Sequence, residues 1–253
     1  MHFYSNYRPR FRLIGHRGVA SLAPENTLAG FQLVKVLGLN WVEFDIQLTR
    51  DLEWVVFHDD TLNRTSTGHG AIYEHLFADL KSLDAGSWFH PGFKNEKIPH
   101  FQQVIELLNE TGLIPNIEIK IAAGCPFLPE TFGRKLLEFL KTDWPAHKSL
   151  PLISSFEHKT LNWLRNHAPE YPLGFLFENI NPKEIEQIST LNNISIHFHA
   201  NEHTDLEYIK KLANQHPLIP YTVNEVSLGH QLLEAGCFAL FTDCPQKFIA
   251  STI

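Results

Sequence analysis

The chain has 253 residues, 43% hydrophobic and 19% charged, enough apolar material for one large core and too little charge for disorder. A formal charge of −7 argues against a basic surface that tracks nucleic-acid phosphates, and no stretch approaches the roughly 18 uninterrupted apolar residues of a membrane span. Three cysteines, Cys125, Cys237 and Cys244, give neither a disulfide framework nor a metal-ligand spacing. Arg8, Arg10 and Arg12 break up the apolar residues at the start, which therefore lacks the apolar core of a secretory signal. A cytoplasmic protein with no stable membrane insertion is expected.

In chain order, short β-rich runs alternate with segments of helical spacing. The first run is RLIGH (12–16), followed by PENTLAGFQLVKVLG with proline near its start and Gly38 near its end, the usual punctuation of a helix. The second run is WVEFDI (41–46). Residues 50–100 then break the rhythm and read as an inserted cap. A strand of its own, EWVVFH, would bring His58 back to the site, and Trp88, Phe89 and Phe93 are read as a small core for the cap, with an apolar rim as the alternative.

After the helix FQQVIELLNE come IPNIEIK (114–120) with ETFGRKLLEFLK, PLISSF (151–156) with HKTLNWLRNHA, and PLGFLF (172–177) with NPKEIEQIST. ISIHFH (194–199) with DLEYIKKLANQ, LIPYTV (218–223) with EVSLGHQLLEAG, and finally FALFTD (238–243) complete the series. Eight strands alternating with helices predict a single-domain (β/α)8 TIM barrel over 1–253, with 50–100 as its cap. In such a barrel the chemistry sits at the C-terminal ends of the strands.

Residues two apart on a strand share a face, so Glu43 and Asp45 converge near the end of the second strand. Two carboxylates in a barrel mouth repel unless a proton or a hard cation relieves them. An isolated E-x-D also fits an ordinary solvent-facing pair. The third strand adds Glu118 and Lys120 on one face, which fits either a third ligand beside a cation or an internal ion pair. Taken together, Glu43, Asp45 and Glu118 suit one divalent ion, Mg²⁺ or Ca²⁺. Arg17 and Lys120 would flank it and hold a phosphate, and His16 and His58 would be placed for proton transfer. A single histidine among 15 is more often structural, and only position raises these two.

The ordered set GHRG, PENT, EFDIQLTRD, VVFHDDTLNRTSTGHG, LDAGSW, NEKIPHF, IEIK, SSF, YTVN and FTDCP resembles the glycerophosphodiester phosphodiesterase family across residues 13 to 245. The resemblance implies a TIM barrel with a small cap, a divalent metal, and hydrolysis of a small glycerophosphodiester to an alcohol and sn-glycerol 3-phosphate. It places the catalytic histidines on His16 and His58, the metal carboxylates on Glu43, Asp45 and Glu118, and the phosphate-binding cations on Arg17 and Lys120. Phe156 and Tyr221 fall in the substrate pocket.

Two positions depart from the family pattern. Leu52 stands where glycine is usual, so the turn before EWVVFH is expected to take another shape. Tyr221 replaces a tryptophan and adds a hydroxyl to an aromatic wall. His197 and His199 share a strand face and read as barrel lining or substrate-side supports, with metal ligation as the alternative.

The expected reaction is in-line displacement at phosphorus with His16 as base and His58 as acid, or the reverse. Water or the glycerol 2-hydroxyl would be the nucleophile. The alternative activity is a phospholipase D-like hydrolysis of lysophospholipids. A phosphodiester receptor without turnover and a purely structural barrel are the readings from other classes. Head group and oligomeric state are not assigned by the sequence.

Overall fold

The computed structural model describes residues 3–6, 8–145 and 148–251. Nine strands form one sheet: Leu13–Gly15 (β1), Trp41–Leu48 (β2), Trp54–Val56 (β3), Ile114–Ile119 (β4), Leu152–Ser155 (β5), Leu173–Phe177 (β6), Ile194–His199 (β7), Leu218–Tyr221 (β8) and Leu240–Thr242 (β9). All but β3 pair in parallel, in the order β8-β7-β6-β5-β4-β2-β1-β9. The ends of that path meet, since Phe238 N–H donates to the Leu218 carbonyl at 2.7 Å and Val223 N–H to the Phe241 carbonyl at 2.9 Å. The result is a (β/α)8 barrel. Parallel strands covered on both faces read as near-continuous hydrophobic runs, broken in β2 and β4 by the buried polar residues Glu43, Asp45, Gln47, Asn116 and Glu118.

Helices Leu28–Val36 (α1), Phe101–Thr111 (α2), Pro129–Asp143 (α3), His158–His167 (α4), Pro182–Ile188 (α5), Leu206–Ala213 (α6), Val226–Glu234 (α7) and Pro245–Ala250 (α8) surround it. Thr27 caps α1 by accepting from Gly30 N–H at 3.2 Å, and Gly38 ends the segment with φ 76°, a conformation that costs glycine little. The last helix, α8, was not among the segments read from sequence: six residues starting at Pro245 are too short to show a period.

The main core lies between strands and helices, with Phe31, Phe44, Phe101, Phe132, Phe175 and Phe198 fully buried. Each such ring contributes roughly 1.5–3 kcal/mol by leaving water. A second cluster, Ile14, Trp41, Leu152, Ile219 and Phe241, takes in Tyr4 from the N-terminal segment, whose ring meets Phe238 edge-on at 5.4 Å. Within the sheet, His197 is fully buried, paired with the Ser195 hydroxyl at 2.8 Å and edge-on to Phe241. Burial pushes its pKa down to about 3. A Cβ on Gly174 would lie 2.4 Å from this imidazole, so glycine there makes room for it.

Three expectations are corrected. β2 runs to Leu48, beyond the expected 41–46, because Ile46, Gln47 and Leu48 pair antiparallel with Val56, Val55 and Trp54 of β3. The cap therefore grows from a barrel strand. The turn at Leu52 keeps the left-handed backbone of a glycine, with φ 62° and its N–H bonded to the Thr49 carbonyl at 3.0 Å. Finally, the cap core is Val55, Phe57, Leu62, Ile72, Leu80, Ala85 and Ile98. Trp88, Phe89 and Phe93 lie outside it, stacked edge to face at 5.7 and 5.6 Å, with Trp88 40% exposed. Hydrophobicity alone does not say which aromatics a small cap can enclose.

Candidate active site

The register of β2 on β4 sets Asp45 opposite Glu118, while Glu43 lies two residues back on the Asp45 face. Ligand oxygens of these three buried carboxylates lie within 4.8 Å of one another. Burial, then Asp45 and Glu118, push the Glu43 carboxyl well above the usual range. Burial also raises Glu118, against the pull of Lys120. Asp45 is pushed up by burial but held below its ordinary value by Arg17, His58, Lys120 and a hydrogen bond from Asn26 Nδ2 at 2.9 Å. Glu43 Oε2 accepts the Arg17 N–H at 2.9 Å, whereas its buried Oε1 has no hydrogen-bond partner. A converging oxygen donor set with one orphaned oxygen and a carboxyl driven toward protonation fits a hard divalent cation.

The loop after β1 carries His16 and Arg17. It turns sharply, for a Cβ on Gly15 would sit 2.4 Å from the Gly18 carbonyl and Gly18 itself has φ 92°. His16 Nδ1 lies 2.6 Å from Asp243 Oδ1, at the end of β9, and Asp243 Oδ2 accepts from Asn224 Nδ2 at 2.7 Å. A carboxylate on Nδ1 holds that proton and turns Nε2 into the cavity, where it lies 4.0 Å from Glu43.

His58 has the same arrangement from the cap side. Its Nδ1 lies 2.7 Å from Asp59 Oδ1, and its Nε2 is 3.4 Å from Lys120 Nζ. Gln47, on the β2 extension, shares its amide hydrogens among the carbonyls of Phe57, His58 and Asp59 at 3.1, 3.1 and 2.8 Å. Lys120 pairs with Glu118 at 3.2 Å, so the ion pair and the shared cavity wall both exist. Its ammonium also lies 5.4 Å from the centre of the Phe156 ring. Burial works to lower the Lys120 pKa, but Glu118 and Asp45 raise it, and Asp45, Glu25 and Glu43 do the same for buried Arg17.

Two cavities meet here. The inner one, about 430 Å³, is lined by His16, Arg17, Glu43, His58, Glu118 and Lys120, with Phe156, His199 and Tyr221 on its far wall. Phe156 and Tyr221 meet edge to face at 5.9 Å, and the Tyr221 hydroxyl donates to the Phe177 carbonyl at 2.9 Å. The outer cavity, about 590 Å³, shares His16, Arg17 and Thr222 and runs between Ser21, Asn224 and Lys247 of the barrel and Arg64, Trp88 and Phe89 of the cap. All nine site residues named from sequence line the inner cavity or, like Asp45, stand directly beneath it. His197 does not reach it.

Sequence reasoning missed Asp243, Asp59, Gln47, Asn26, Glu25 and Arg64. A signal existed for two of them: Asp243 ends the last strand, and Asp59 follows His58. Glu25 and Arg64 meet from 39 positions apart and carry no local mark.

Residues 16–247 match the family described as "Glycerophosphoryl diester phosphodiesterase family". A glycerophosphodiester phosphodiesterase of Caldanaerobacter subterraneus is 33% identical over 94% of this chain and 96% of its own. The solved structure of an Oleispira antarctica phosphodiesterase in complex with the product sn-glycerol-3-phosphate is 34% identical, covers 98% of both chains and superposes with a TM-score of 0.89. A glycerophosphodiester phosphodiesterase structure from Agrobacterium tumefaciens, 21% identical over 94% of this chain and 98% of that one, has the same fold at a TM-score of 0.74.

Proposed function

From the premise that this chain belongs to the glycerophosphoryl diester phosphodiesterase family, we propose a reaction course for its glycerophosphodiester phosphodiesterase activity. The observation that carries it is the junction of two cavities at His16 and Arg17. A phosphodiester has two arms. The invariant glycerol belongs in the smaller, more enclosed cavity against Phe156 and Tyr221, and the variable alcohol in the open one. Arg17 and Lys120 bind the phosphoryl oxygens between them. Glu43, Asp45 and Glu118 would hold one Mg²⁺ or Ca²⁺, which supplies charge neutralisation at phosphorus when bound.

His58 lines only the inner cavity and faces the cation Lys120. It takes the proton from the nucleophile, whether water or the glycerol 2-hydroxyl. His16 lines both cavities and stands between the carboxylates of Asp243 and Glu43, surroundings suited to carrying a proton to the leaving oxygen. This is the reverse of the order placed first in the sequence analysis, and the cavity geometry favours it. The whole chain acts as one catalytic unit with 50–100 as its cap. No helix among the described residues is long and apolar enough to cross a membrane, and the three unpaired cysteines support a cytoplasmic location.

The test is glycerol 3-phosphate release from glycerophosphocholine with Mg²⁺, Ca²⁺ or EDTA, beside the glycerophosphodiester of p-nitrophenol, whose leaving group needs no acid. His16→Ala should lose activity on the choline ester and keep most of it on the nitrophenyl ester, whereas His58→Ala should lose both. The opposite pattern would exchange the two roles. Trp88, exposed and stacked on Phe89 in the outer cavity, favours a second reading, phospholipase D-like hydrolysis of a lysophospholipid, in which the acylated glycerol arm lies along this rim and the head-group alcohol leaves. Comparing lysophosphatidylcholine with glycerophosphocholine decides it.

A further inference from the structure

Arg64, in the cap, bridges two carboxylates that reach the site. Arg64 Nε and Nη2 donate to the two oxygens of Asp59 at 2.6 and 2.7 Å, and Nη1 and Nη2 donate to the two oxygens of Glu25 at 2.8 Å each. Asp59 in turn holds His58 Nδ1 at 2.7 Å, and Glu25 Oε1 also accepts from Arg17 Nη1 at 2.8 Å. Five side chains therefore form one hydrogen-bonded chain, His58–Asp59–Arg64–Glu25–Arg17, running from cap to barrel.

We propose that Arg64 is a positioning residue that fixes the His58 imidazole and the Arg17 guanidinium in one frame, so that seating the cap and forming the phosphate site are a single event. The proposal rests on the catalytic reading of His58 and Arg17 above. Ligand atoms of Glu25, His58 and Asp59 lie within 4.8 Å of one another, a convergence that calls for positive charge. A planar guanidinium meets two carboxylates bidentately there, with a fixed geometry that an ammonium does not provide. Trp88 lies over it, 6.0 Å from ring centre to guanidinium carbon. Stability does not account for the arrangement. The Arg64 side chain is 47% exposed, and ion pairs at such exposure contribute about 0–1 kcal/mol. What it does supply is geometry, because the groups it holds carry one cavity residue from the cap and one from the loop after β1.

The experiment uses the full chain at saturating metal. Arg64→Gln should lower kcat by roughly 10–100-fold, as loss of groups that orient functional ligands does, with its thermal midpoint close to that of the wild type. Arg64→Lys, which keeps the charge but not the fork, should be impaired nearly as much. Added guanidinium ion should restore activity to Arg64→Ala and not to His58→Ala. Full activity in Arg64→Gln, or a loss that follows a lowered thermal midpoint and resists guanidinium, would overturn the proposal. Retained activity in His58→Ala would instead bring down the catalytic reading on which it rests.

Discussion

β1 has an arginine at each end, and the two live different lives. Arg12, at the N-terminal end of the barrel, directs its guanidinium to the backbone carbonyls of Leu233, Cys237 and Phe238. It ties the end of α7 to the start of β9, and burial lowers its pKa. Arg17, at the mouth, is more deeply enclosed, yet its pKa is raised because burial is outweighed by Asp45, Glu25 and Glu43. Neutral dipoles answer one cation and converging carboxylates the other. A cation facing carboxylates in excess of its own charge leaves negative charge that a bound metal cation would balance, whereas one answered by backbone carbonyls is saturated.

The largest effect expected from this contrast is on turnover. Arg17→Ala should cost roughly 10²–10³-fold in kcat, the scale of losing one preorganised donor to a developing charge, with little change in the denaturation midpoint. Arg12→Ala should do the opposite. Losing three hydrogen bonds from a charged donor should destabilise the barrel by about 2 kcal/mol or more, read by urea denaturation, while kcat of the folded enzyme stays near wild type. A drop in kcat for both variants would erase the distinction.

A third expectation concerns a buried group with no carboxylate beside it. Unfolded, His197 takes up a proton below about 6.5, but the folded barrel refuses it until about 3. Its contribution to stability is thus full above pH 6.5 and is lost at about 1.4 kcal/mol per pH unit as pH falls through that window. Denaturation from pH 7 to 4.5 should therefore show the gap between wild type and His197→Asn narrowing with acidification. A constant gap would mean that His197 titrates normally in the fold. The smallest effect is expected at Leu52. Glycine would relieve a left-handed backbone worth roughly 1–2 kcal/mol but forfeit the partial burial of leucine, so Leu52→Gly should shift stability by about 1 kcal/mol or less.

The barrel was legible because two-sided burial writes itself into sequence as apolar runs. Glu43, Asp45, Glu118 and Lys120 were legible for a related reason: an alternating strand puts residues two apart on one face. What pairs across the site was not. Asp243 meets His16 over 227 positions, and Arg64 finds Glu25 only once the cap has folded back on the first loop. The aromatics Trp88, Phe89 and Phe93 were read as cap core because their composition looks like one. The actual core forms from Val55 of β3 and residues spread from Phe57 to Ile98, and no period separates the two sets. At Leu52 residue type alone leads to the expectation of another turn shape, whereas the Thr49 turn and the β3 pairing hold the left-handed backbone there.

The extension of β2 has a consequence for how this scaffold can diversify. His58 hangs from a two-strand ladder and from the Gln47 amide, and the cap's return path is fastened to the same strand, with Val55 bridged to His100 and Val56 N–H bonded to the Pro99 carbonyl. Entry and exit of the inserted segment are thus clamped at one point. The turns at Gly68 and Asn95 lie beyond this clamp, so a change of length there would alter the vestibule without passing through the ladder that holds His58. The His58 imidazole keeps its address while the doorway is rebuilt.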